Sequence, residues 1–242
     1  MRSTDIRQDF LKTAKLLERV FRRLEGKIPA PKRMPWKDGF VFRYSEKTPH
    51  QAIIQKLART VSGLYAIVAL IDRGLFQEQG VIQRVLDEIE EDVLFLSFGV
   101  IRNEITERHK KYLEYFYAEE FEDPEDIYGS HSSRGMIPRA KIRAYVNSII
   151  GDEESRGNAA GKILAKAYSG YVHAASPQIM DMYGGHPPAY DLNGMLGYLR
   201  VAGQAEDAKN YFFRGLASFA IAAKAFDDEA IFQELYEAAS VF

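Results

Sequence analysis

The sequence predicts an all-α protein, a multi-helix bundle with a long N-terminal helical arm. Three observations carry that reading. Apolar residues recur at three- and four-residue spacing along most of the 242 residues, while two-residue alternation is nearly absent. Helix caps and stops punctuate the chain at regular intervals. The hydrophobic fraction, 46%, is large enough for a packed core and excludes an intrinsically disordered chain.

The spacing of Ile6, Phe10, Leu11, Ala14, Leu17, Phe21 and Leu24 predicts a first helix over 3–25, capped by Ser3 and stopped by Gly26. Residues 27–47 contain Pro29, Pro31, Pro35 and Gly39 and read as a loop, pinned to the body by Trp36, Phe40 and Phe42. This is the best internal boundary. It divides an N-terminal helix and Pro-rich loop, 1–47, from an all-helical core domain, 48–242.

Thr48-Pro49-His50-Gln51 is a helix start: Thr48 caps, Pro49 suits the first helical position, and Gln51 completes a capping box. The helix it opens ends at Gly74. A second is expected over 77–97 with Val81, Val85, Leu86, Ile89, Val93 and Leu96 as its stripe. A third, near 100–120, continues it or follows a bend. Residues 121–136 are acidic, then Gly/Ser-rich, and read as a loop. Pro138 opens a short helix to Ile150. Ser155 to Ser176 is rich in Ala and Gly, so a central, closely packed helix is expected there. Gly184-Gly185-His186-Pro187-Pro188 reads as a rigid turn. Long helices over 204–225 and 228–240 complete the chain, the last capped by Asp227 or Asp228.

Net charge is −2, which argues against a polyanion binder by bulk charge. The distribution is uneven. Residues 1–60 hold 15 Lys/Arg and 6 Asp/Glu, whereas 75–130 hold 5 and 15. Arg134, Arg139, Lys141 and Arg143 form a third, basic stretch without an acid among them. Either the basic segments bind phosphate or RNA, or the opposite blocks neutralise each other in the fold or across a dimer.

Zero cysteine excludes a disulfide scaffold, a thiolate zinc site and a cysteine nucleophile. No P-loop, His-Glu-x-x-His or Gly-x-Ser-x-Gly motif occurs. Asp181, His186 and Asp191 surround the Gly-Gly turn, but their spacing matches no ligand pattern, so no metal and no cofactor is expected. The N-terminus has no secretory signal, and the longest pure apolar run is Tyr65 to Ile71, so a soluble cytoplasmic protein without a membrane span is expected.

Three polar constellations could carry chemistry. Arg84 and Glu88 are four apart on one helix and could orient a third group. Ser169 and His173 are also four apart, and histidine is the commonest general acid/base near neutrality. Arg102 and His109 share a face if the helix runs straight through them. They match the loose Arg-x(4–6)-His pattern of the HEPN ribonucleases, in which a cation holds phosphate and an imidazole moves a proton.

The stretch Ala69-Leu70-Ile71-Asp72-Arg73-Gly74-Leu75, followed by Arg84-x-x-x-Glu88 and by Tyr168, Ser169, Val172 and His173, resembles a family of uncharacterised bacterial all-helical proteins. The resemblance spans about residues 50–176. It implies a loosely HEPN-like layout in which Arg84, Glu88, Ser169 and His173 form the central polar cluster. The leading functional expectation is therefore metal-independent RNA processing, in stress or phage defence, with RNA held by the basic segments. The alternative is a non-catalytic helical module that binds a protein or a ligand. A homodimer is expected in either case.

Overall fold

Helix α2, Pro49–Arg73, follows from its first four residues. The Gln51 amide donates to Thr48 Oγ1 at 3.2 Å, and Gln51 Oε1 accepts from the Thr48 amide at 3.0 Å. Pro49 fills the first turn, where its missing N–H costs nothing. Gly74 ends the helix in the left-handed region, at φ 65°. A Cβ there would lie 2.7 Å from the Met195 amide nitrogen, so only glycine fits.

The computed structural model describes residues 3–121, 123, 126, 128–129, 134–151, 163, 166–196 and 200–240. Helix α1 is Ser3–Glu25. A hairpin follows, β1 Lys32–Trp36 and β2 Gly39–Arg43, paired antiparallel from Lys32↔Arg43 to Trp36↔Gly39. After α2 come α3 Phe76–Ile101, α4 Glu107–Phe116 and α5 Arg139–Ile150. Residues 166–172 are helical. A short α6, Ser176–Met180, leads to a two-residue hairpin, Tyr183–Gly184 with Ala189–Tyr190. Helices α7 Arg200–Ala225 and α8 Glu229–Ser240 close the chain.

The fold is predominantly α, as expected. Helices α2, α3 and α7 pack on one another at its centre. Helix α1 lies across α2 and α7, α8 packs on α7, and α5 packs on α3. Phe95, Phe212, Phe219, Leu57, Leu64 and Leu96 are among the fully buried side chains. By composition α2 is long and apolar enough to cross a membrane, yet Ile53, Ile54, Leu57, Leu64 and Ile67 are buried among the other helices.

Several expectations change. The first helix, expected as an arm, lies on the bundle: Phe10, Ala14, Leu17 and Leu24 are buried, and Phe10 stacks on Phe212 at 4.3 Å. The expected loop at 27–47 contains the β1–β2 hairpin. Phe40 and Phe42 do not pin it to the body; both rings are exposed. No helix runs straight through 102–109. Helix α3 ends at Ile101, Asn103 turns the chain at φ 51°, and α4 starts afresh at Glu107. Of the expected central helix over 155–176, residues 155–162 and 164–165 lie outside the described residues. Residues 166–173 are half-buried or exposed, so this part is peripheral. Much of the expected loop at 121–136 also lies outside the described residues.

Candidate functional site

Asp87, Glu88, Glu90, Glu91 and Asp92 crowd onto one stretch of α3, and they make up a third of the acidic block seen in the sequence. Successive helical residues point about 100° apart, so these carboxylates leave α3 on different faces. Toward α7, Asp87 Oδ1 accepts from Arg214 Nη1 at 2.7 Å, and Glu90 pairs with the same guanidinium. Burial, joined by Asp87 and Glu91, raises the Glu90 pKa against the pull of Arg214. Toward α5, Arg139 Nε donates to Glu91 Oε2 at 2.9 Å, and its Nη1 meets Asp92. Arg143 reaches Glu91 at 3.3 Å. From α2, Lys56 Nζ donates to Asp92 Oδ2 at 2.7 Å.

The acidic and basic blocks thus neutralise each other inside the fold for these residues. Arg139 and Arg143, expected as cations open to RNA, are instead engaged by Glu91 and Asp92 and mostly buried. Arg134 and Lys141 are exposed. Arg134 Nε donates to the Tyr115 carbonyl at 3.0 Å, at the C-terminal end of α4, where the helix dipole favours a cation.

Above this network a cleft of about 390 Å³ opens between α3, α4 and α5. Lys56, Arg134 and Arg139 supply its cations, and Glu88 and Asp92 its acids. Tyr112, Tyr115 and Phe116 form an aromatic wall on α4, with Ile137 and Ile142 across from it. Lys56 Nζ stands 5.0 Å from the Phe116 ring centroid, within cation–π range. Burial and the neighbouring Asp92 carboxylate push the Tyr112 hydroxyl pKa far up, so it stays protonated and a donor. A second hollow of about 310 Å³ adjoins the cleft and shares Tyr115, Met136 and Ile137 with it. Arg108, Lys111 and Lys141 line that hollow. Arg108, Lys111, Arg134 and Lys141 make no carboxylate pair among the described residues.

The predicted residues fall into separate places. Arg84 and Glu88 form the expected pair, Nη2 to Oε1 at 2.6 Å. Ser169 lies half-buried in the helical segment 166–172, and His173 follows it, exposed. That segment packs on α3: a Cβ on Gly80 would stand 2.7 Å from the Tyr171 ring. Among the described residues, no hydrogen bond or ion pair joins Ser169 or His173 to Arg84 or Glu88, or the two side chains to each other.

His109 is fully buried. Its Nε2 lies 3.0 Å from the Phe95 carbonyl, which only accepts, so that nitrogen carries the proton. Its Nδ1 accepts the Thr106 amide at 3.2 Å and caps the start of α4. The ring also stacks on Phe95 at 4.0 Å. Burial lowers its pKa and keeps it neutral. Arg102 sits exposed at the end of α3, 3.8 Å from Glu104. No group of ligating side chains that could hold a metal ion occurs among the described residues.

The cleft itself leaves no local signal in the sequence. Its parts come from residues 56, 88–92, 112–116 and 134–142, and no local spacing links them. In comparisons with family models, with curated proteins and with solved structures, nothing matches this chain.

Proposed function

We infer that this chain is a non-catalytic helical module that holds a small anionic ligand with a planar, apolar body in the cleft between α3, α4 and α5. The observation that carries the reading is the make-up of the cleft. An aromatic wall of Tyr112, Tyr115 and Phe116 faces cations, and Arg134 has no carboxylate partner among the described residues. A volume of about 390 Å³ suits a single small molecule. Lys56 and Arg139 are neutralised by Asp92 and Glu91, which leaves Arg134 as the cleft's cation without a carboxylate partner among the described residues. A nucleoside monophosphate has the matching chemistry: a ring for the aromatic wall and a phosphate for Arg134. Calorimetric titration with AMP, adenosine and inorganic phosphate tests the reading. AMP should bind more tightly than either fragment, and Arg134→Ala should weaken AMP by roughly tenfold, the loss of one charge-assisted contact. No heat with any of the three would sink it.

One observation favours a second reading, HEPN-like RNA processing. The segment carrying Ser169 and His173 packs on the helix carrying Arg84 and Glu88, and His173 stands open to solvent. In that reading Arg84 holds phosphate and His173 moves the proton. Labelled RNA incubated with the protein and EDTA separates the two. Cleavage that His173→Ala abolishes supports processing, and intact RNA removes it.

A further inference from the structure

Away from the cleft, the β1–β2 hairpin carries large apolar side chains that stay exposed among the described residues. Phe42 is 58% exposed, and Phe40 and Met34 are 45% exposed. Each strand pairs chiefly with the other, and neither makes an extensive contact with any helix. A bare two-stranded hairpin is marginally stable by itself, so an exposed aromatic face on one calls for an occupant.

The register defines that face. Phe40 and Phe42 are two apart on β2 and point the same way, and across the ladder they oppose Pro35 and Arg33. The two rings meet edge to face at 5.4 Å. The Arg33 guanidinium carbon lies 3.7 Å from the Phe40 ring centroid, in cation–π contact. Arg33 and Lys37 make no carboxylate pair among the described residues. Arg43 is held by Glu119 at 2.6 Å, which ties the base of the hairpin to the bundle, while Arg33 and Lys37 lie farther along it toward the turn.

We propose that this hairpin is a stacking platform for single-stranded RNA. Unstacked bases present flat faces, which suit Phe40, Phe42 and the Arg33 guanidinium beside them, and the backbone phosphates suit Lys37 at the turn. A peptide adding itself as a third strand fits less well. Pro35 removes an edge donor, and the lysines repel the flat pairing that such an edge invites. The platform is independent of the cleft, and its test reads binding alone.

Trp36, the single tryptophan of the chain, sits at the hairpin turn and reports on it directly. The full chain is titrated with a short oligouridylate while Trp36 emission is followed. Saturable quenching that weakens steeply as salt rises is expected. Phe40→Ala and Phe42→Ala should each weaken binding by roughly tenfold, and Phe42→Tyr should restore it. Unchanged helical circular dichroism keeps these variants interpretable, because neither ring is part of the core. Equal affinity of wild type and Phe42→Ala overturns the platform, since charge alone then accounts for binding. So does a tighter response to anionic lipid vesicles than to RNA. A self-association that Phe42→Ala abolishes, without RNA binding, assigns the face to a second copy of this chain and also overturns the proposal.

Discussion

Gly99 makes room for the ring of His109. A Cβ at position 99 would stand 2.7 Å from His109 Nε2, the atom that donates to the Phe95 carbonyl. The histidine closes the joint between α3 and α4 by capping one helix and bonding the carbonyl of the other. That use occupies both ring nitrogens and leaves neither for chemistry at a solvent-accessible site.

Gly99→Ala should therefore destabilise the fold despite the better helix propensity of alanine. Propensity favours alanine by about 1 kcal/mol. Forcing the ring from its site costs about 1–3 kcal/mol. Chemical denaturation of Gly99→Ala, His109→Ala and the double variant tests the coupling. His109→Ala alone should cost about 3 kcal/mol. In the double variant Gly99→Ala should cost less than it does alone, because the clash is gone.

The same histidine sets a pH dependence. Burial holds its pKa below 6.5, while the unfolded chain titrates near 6.5. Below that pH the unfolded state binds a proton that the folded state refuses, so the stability present above it falls as the solution is acidified. Urea denaturation on either side of pH 6.5 should show this loss. His109→Gln, which keeps an acceptor at the cap but does not titrate, should show a smaller one.

Two cations of the same basic stretch should behave oppositely. Arg139 is held by Glu91 and Asp92 and is largely buried, and removing one partner of such a network costs about 3–5 kcal/mol. Lys141 is exposed, and its loss should stay within about 0.5 kcal/mol. Thermal melts of Arg139→Ala and Lys141→Ala check the contrast. Equal melting temperatures would mean that the Arg139 network adds nothing to the fold.

The helix boundaries were legible because their signals are local. Thr48, Pro49, Gln51 and Gly74 act within one turn of themselves, and Asp228 likewise caps α8 by accepting the Ile231 amide at 2.9 Å. The hairpin is hard to see in the sequence because its prolines read as loop. Asp38-Gly39 between Trp36 and the alternating Phe40 and Phe42 was the available signal. The charge network lay out of reach for a different reason. Asp87 meets Arg214, and Asp92 meets Lys56 and Arg139; these pairings are set by tertiary packing between helices far apart in sequence. Composition pairs the basic and acidic segments only as blocks and does not name which members meet.

The ligand cleft is the central claim, and amide chemical shifts test it most directly. Isotope-labelled protein is titrated with AMP. Saturable shifts centred on 112–116 and 134–142 are predicted, and Arg134→Ala should move the midpoint to higher AMP. No shifts at all, or shifts centred on Ser169 and His173, would contradict the assignment of the cleft as the binding site.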